Sequence, residues 1–157
     1  MKNKTFFLFL SLMAMFGLNS CQLDESINTS TLGGNWFVNR IEAIDATSLD
    51  DELYSTKNSR NYDVTNLKAG CLMINLSETD KFNQYFIVLY KYDGTSWTNQ
   101  GSRNVTLSSS NKFTFLNYQC KLKKKTDKEL EVKVQAGSDF FRYRFEKTVL
   151  DLSLIHI

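Results

Sequence analysis

Between Lys128 and Gln135 the chain reads KELEVKVQ, with Leu130, Val132 and Val134 on one parity and Glu129, Glu131 and Lys133 on the other. A two-residue period that sorts apolar from charged side chains is the signature of a half-buried strand. DFFRYRFEK repeats it, with Phe141, Tyr143 and Phe145 alternating against Arg142, Arg144 and Glu146. YFIVLY at 85–90 does not alternate, which predicts a strand covered on both faces. The same signals predict strands near 35–44, 70–77, 82–92, 96–107, 111–116, 118–124, 129–135 and 139–148.

SETDK, YDGTS, SSSNK, KKTDK and QAGSD separate the later strands, and each is rich in residues that suit tight turns. Short links of this kind make an antiparallel meander. Eight such strands close most economically into a barrel, because closure removes the free edges. The predicted fold is therefore all-β, an eight-stranded antiparallel up-and-down meander barrel over residues 34–149. Its one long connection, 45–69, places Ser48 three residues before Asp51. That spacing resembles a capping box and predicts a short helix over 49–56. A loop of this length is the natural candidate for a lid.

Ahead of the barrel, Lys2 and Lys4 introduce the apolar run TFFLFLSLMAMFGL, which stops at LNSC. A short positive region followed by an apolar run too short for a comfortable span reads as a secretory signal. LNSC resembles the lipobox of bacterial lipoproteins, which makes residues 1–20 the signal peptide and Cys21 the acylated first residue of the mature chain. Two or more acyl chains anchor a protein firmly, so the implied partner is a membrane, reached through the N-terminal lipid. The other reading is an ordinary signal peptide cut near Ser20, with Cys21 a plain thiol. Residues 21–33 are polar and aperiodic, a flexible tether. Asp24 and Glu25 resemble the acidic tags of some outer-membrane lipoproteins, and they equally suit a soluble tether. The implied address is the outer membrane of a Gram-negative bacterium, periplasmic or surface-exposed.

At the far end, LSLIHI (152–157) adds an apolar tail without alternation. It matches the in-frame translation of a transposon-end sequencing adapter and is expected to lie outside the natural protein, the alternative being a genuine last strand. His156, the sole histidine, would go with it.

Without Lys2 and Lys4, 17 basic residues face 17 acidic ones. A neutral domain offers no electrostatic case for nucleic acid. With His156 set aside, a metal or haem site and a hydrolase triad lack their ligands and base. No enzyme activity, metal or cofactor is therefore expected. Asp50, Asp51 and Glu52 read as a solvated helix start, and Lys121, Lys123 and Lys125 as a solvated basic edge. Cys71 and Cys120 fall on differing strand parities, which argues against a disulfide.

LGGNWFVNRIEAID (32–45) resembles the first strand of lipocalins and of bacterial lipocalin-like lipoproteins, with the Gly-x-Trp motif at Gly34, Asn35 and Trp36. The strand-turn rhythm from YKYDGTSW to FFRYRFEK is similar to theirs. The resemblance implies an arginine of the last strand packed over the tryptophan, here Arg142 or Arg144. An eight-stranded barrel is either filled by its own side chains or hollow enough for one small ligand, and Tyr118, Phe141, Tyr143 and Phe145 are the candidate lining of an apolar pocket for a small hydrophobic molecule. The same aromatics could instead fill the barrel, leaving a non-enzymatic interaction or assembly module at the cell envelope. The residues leave both readings open.

Overall fold

A computed structural model describes residues 32–149, the side chains of Lys124 and Lys125 apart. The expectations for the signal peptide, Cys21, most of the tether and the 152–157 tail lie outside the described residues. Nine strands form one antiparallel sheet: β1 (Gly34–Asp45), β2 (Ser55–Asn61), β3 (Leu72–Glu78), β4 (Gln84–Tyr92), β5 (Trp97–Thr106), β6 (Lys112–Phe115), β7 (Tyr118–Lys125), β8 (Glu129–Ala136) and β9 (Asp139–Thr148). Eight follow the order β5-β4-β3-β1-β9-β8-β7-β6, and β2 pairs with β1 alone. The result is the expected antiparallel barrel of eight strands, nearly closed. First and last strands pair directly, Trp36 opposite Lys147 and Ile44 opposite Phe140.

β1 is shared along its length. Gly34–Phe37 pair with β3, whereas Arg40–Asp45 pair with β2 on the same edge. Against β9 it carries one extra residue, Asn39, between Val38 and Arg40. Such a bulge reverses the parity beyond it. Trp36 and Val38 therefore share the inner face with Ile41, while Phe37, Arg40, Glu42 and Ile44 face outward. Simple alternation puts Trp36 on the polar parity with Glu42, and the bulge is why it lies inside instead.

The barrel's seam lies between β5 and β6, the two ends of the strand path. A guanidinium N–H of Arg103 donates to the Leu116 carbonyl near it, at 3.2 Å. Leu116 itself, in the β6–β7 turn, has φ of 53°, a conformation that favours glycine. YFIVLY is covered in part on both faces: Tyr85, Ile87 and Val88 are buried, Tyr90 packs on an outer cluster, and Phe86 is 38% exposed.

The long connection differs from expectation. No helix forms over 49–56; the Asp51 carboxylate instead accepts from the backbone N–H groups of Thr47 (2.6 Å) and Ser48 (3.1 Å) and from the Ser48 hydroxyl (2.9 Å). The carboxylate half of the capping box thus forms, but around a tight loop that no helix continues. β2 then runs along the upper edge of β1. Residues 46–54 lie on the outer face, where Leu49 packs against Ile44 and Phe140. Residues 62–71 cover a second outer cluster, with Tyr62, Val64 and Leu67 on Phe37, Met73 and Trp97. The connection is thus a wrap around the barrel wall, not a lid.

Candidate functional site: an apolar cavity at one end of the barrel

Inward-facing residues fill the barrel unequally. At the end where the chain enters, Leu32, Leu76, Tyr85, Val105, Leu107, Leu122 and Leu130 leave a void of about 40 Å³. Trp36 is fully buried in the same cluster, and its indole N–H donates to the Leu32 carbonyl at 2.8 Å. The entering chain is thereby fixed as the plug of that end.

Toward the other end the barrel holds a cavity of about 490 Å³. β8 supplies Val132, Val134 and Ala136 and β1 supplies Val38, side chains too short to meet the rings opposite. Those rings come from Tyr118, Phe141, Tyr143 and Phe145, the four residues named from sequence, and from Phe113 and Phe115. Ile74, Ile87 and Leu89 of β3 and β4 complete the wall. Tyr143 and Phe145 stack, with centroids 6.3 Å apart and planes 27° from parallel. Tyr118, 45% exposed, stands at the mouth.

The cavity is electrically neutral. Its described lining contains no Asp, Glu, Lys, Arg or His. Burial pushes the Tyr143 phenol above its usual range and the Cys120 thiol up to about 12, so both stay protonated at neutral pH. Such a site solvates a charge poorly and favours an uncharged apolar guest. Among the described residues no three His, Cys, Asp or Glu side chains are grouped to hold a metal. No protein-family model matches the chain, and no curated protein matches it.

The motif residues take other partners than expected. Arg142 and Arg144 do not pack on Trp36; the Lys147 ammonium does, 5.3 Å from the ring centroid. Register decides this, since Trp36 lies opposite Lys147 whereas Arg142 lies opposite Glu42 and Arg144 opposite Arg40 on the outer face. Gly34, with φ of 124°, brings its backbone against the Lys147 stem, where an added Cβ would meet the side chain at 3.1 Å. Arg142 donates to the buried Glu42 carboxylate and, at 2.8 Å, to the Tyr54 hydroxyl. That hydrogen bond holds the Glu42 carboxyl below its usual range against the opposing effect of burial.

The acidic segment and the lysines meet one another. Asp50 bridges Lys112 (2.6 Å) and Lys121 (3.0 Å), and Glu52 pairs with Lys123. Hydrogen bonds from those two lysines pull Asp50 down to about 2. Lys133, fully buried, donates to the carbonyls of Leu49 (3.4 Å) and Asp51 (2.5 Å) beneath the Tyr54 ring. The solvated basic edge is overturned for Lys121 and Lys123, which are largely covered, whereas Asp50 and Glu52 stay exposed to solvent as expected although no helix starts at them. Cys71 and Cys120 are free thiols, one in the outer cluster and one inside the barrel.

The four candidates from sequence lie on β7 and β9, and the lining from β1, β3, β4, β6 and β8 is not among them. Phe113 and Phe115 had a usable signal, the alternation of KFTF. Ile87 and Leu89 had none, because YFIVLY is apolar on both parities.

Proposed function

We propose that this protein is an envelope lipoprotein, anchored through an acylated Cys21, whose lipocalin-like barrel takes a small uncharged hydrophobic molecule into its open end. One observation carries the ligand reading: a neutral cavity of about 490 Å³, lined by aliphatic and aromatic side chains, in a barrel otherwise packed solid. A volume in the range of small-molecule pockets favours it over a filled barrel serving only as an assembly module. Strand order, short turns and the plugging tryptophan support the lipocalin-like assignment. LNSC after a signal-like run supports the anchor, and the address proposed is the outer membrane of a Gram-negative bacterium.

Two measurements test the two halves. Growth with labelled palmitate is expected to mark the wild type and not Cys21→Ser; label retained by the serine variant would refute the anchor. Titration with N-phenyl-1-naphthylamine, an uncharged apolar fluorophore, is expected to saturate at one probe per chain, and absence of saturable binding would refute the ligand reading.

A further inference from the structure

The lining of the barrel cavity changes character from floor to mouth. Ile74, Ile87, Phe113 and Val132 also line the small void beneath it, so they form the floor, and none has a polar side-chain atom. The polar side chains of the lining are Tyr118, Cys120 and Tyr143, with Tyr118 at the mouth. Tyr143 joins the two levels. Its backbone lies opposite Val132, at the floor. Burial is the first reason its phenol resists ionisation and the neighbouring Tyr118, Tyr62 and Cys120 groups follow, which places its hydroxyl toward Tyr118 and Cys120 rather than on the floor.

The hydrogen-bonding capacity of this polar group is unspent. Among the described residues neither the Tyr143 hydroxyl nor the Tyr118 hydroxyl has a hydrogen-bond partner. The Cys120 thiol is already engaged, donating to the Tyr118 carbonyl at 3.7 Å. The Tyr143 hydroxyl is not one of the fully covered unpartnered atoms, which are Asn39 Oδ1, Arg40 Nε and Arg144 Nε, so a guest in the cavity can reach it. Tyr118 is more open still, at 45% exposure.

Each phenol can donate one hydrogen bond and accept another. An all-hydrocarbon guest would cut both off from solvent and leave them bare, which is unfavourable. A carboxylate or an ammonium could bond to them, but no side chain of the lining carries a charge to offset the burial of its own. An uncharged oxygen meets the phenols without that penalty. We infer that the guest is a hydrocarbon bearing one uncharged oxygen, an alcohol or a carbonyl, which hydrogen-bonds to Tyr143 and Tyr118 while the hydrocarbon body lies on the apolar floor. This rests on the cavity being a ligand site, and it adds the guest's polar group and the two side chains that select it.

Displacement of N-phenyl-1-naphthylamine from the full chain tests this with naphthalene, 2-naphthol, 2-acetylnaphthalene and 2-naphthoate, which share one ring system and differ in the oxygen they carry. At pH 7 the charged naphthoate is expected to bind about tenfold more weakly than 2-acetylnaphthalene. In Tyr143→Phe, 2-naphthol and 2-acetylnaphthalene are expected to weaken about fivefold relative to naphthalene measured on the same variant, because only they lose a hydrogen bond. Tyr118→Phe gives a second, independent reading should Tyr143→Phe fail to fold by circular dichroism, with a relative loss of about twofold. The inference is overturned, with the ligand site left standing, if the fluorophore binds saturably but the oxygenated probes and naphthalene change alike in both folded variants, or if naphthoate binds as tightly as the neutral probes. A wild-type protein that does not bind the fluorophore at all would overturn the ligand site and this inference together.

Discussion

The two ends of this barrel are built from the same alternating pattern and differ in what that pattern encloses. At the entering end, leucines from five segments, Tyr85 and the Trp36 indole close the space to about 40 Å³. At the other end, short side chains on β8 face rings on β6, β7 and β9 across about 490 Å³. Apolar lining alone therefore does not distinguish a core from a cavity. What separates them is whether side-chain volumes sum to the space the strands enclose. The tight end carries stability, which leaves the loose end available for a guest.

The largest expected effect lies at the tight end. Trp36→Ala removes a fully buried ring and the hydrogen bond to Leu32, and it should cost about 3–5 kcal/mol in urea unfolding of the unliganded protein. A loss below about 1 kcal/mol would be an ordinary surface effect and would break the comparison.

Overpacking should then separate the ends by the size of the loss. Val105→Phe, in the cluster around the 40 Å³ void, is expected to destabilise by about 1–3 kcal/mol. Val134→Trp, whose new ring enters the open cavity, should change stability by less than about 0.5 kcal/mol. Equal losses at both positions would show that the two ends are packed alike.

The smallest effect concerns the wrap and leaves both ends untouched. Asp50 and Asp51 sit at about 2 against an ordinary 3.8, and the carboxyls of Glu42 and Glu52 are lowered from 4.5. A folded-state value below the unfolded one contributes stability that is present above the unfolded value and lost as pH falls through the folded one. Urea midpoints should therefore fall between about pH 4.5 and pH 2. Residues 46–54 do not line the cavity, so apolar probe binding at pH 4 should match that at pH 7. Loss of the probe in step with the midpoint would make the wrap part of the site after all.

How much of this was legible follows from burial. Strands with one face in the core print that face as alternation, as β8 and β9 do most cleanly, whereas β4 is legible only as the unbroken apolar run YFIVLY. β2 was not legible: STKNSRN is exposed at all seven positions, and it exists because β1 offers a free edge above β3. The bulge at Asn39 was equally silent, and it moved Trp36 from the arginines' face to the core. Charge pairing between Asp50 or Glu52 and the β6–β7 lysines spans more than sixty residues, so local sequence could only show two separate charge runs. The lining aromatics were visible as one parity, but their enclosed volume depends on what stands opposite, which one strand cannot report.

The most direct test of a vacant end is to fill it and ask what is lost. N-phenyl-1-naphthylamine should bind the wild type at one site per chain, and Val134→Trp should abolish that binding while the urea midpoint stays within error of the wild type. Probe binding that persists undiminished in a folded Val134→Trp protein would place the apolar site elsewhere and contradict the account.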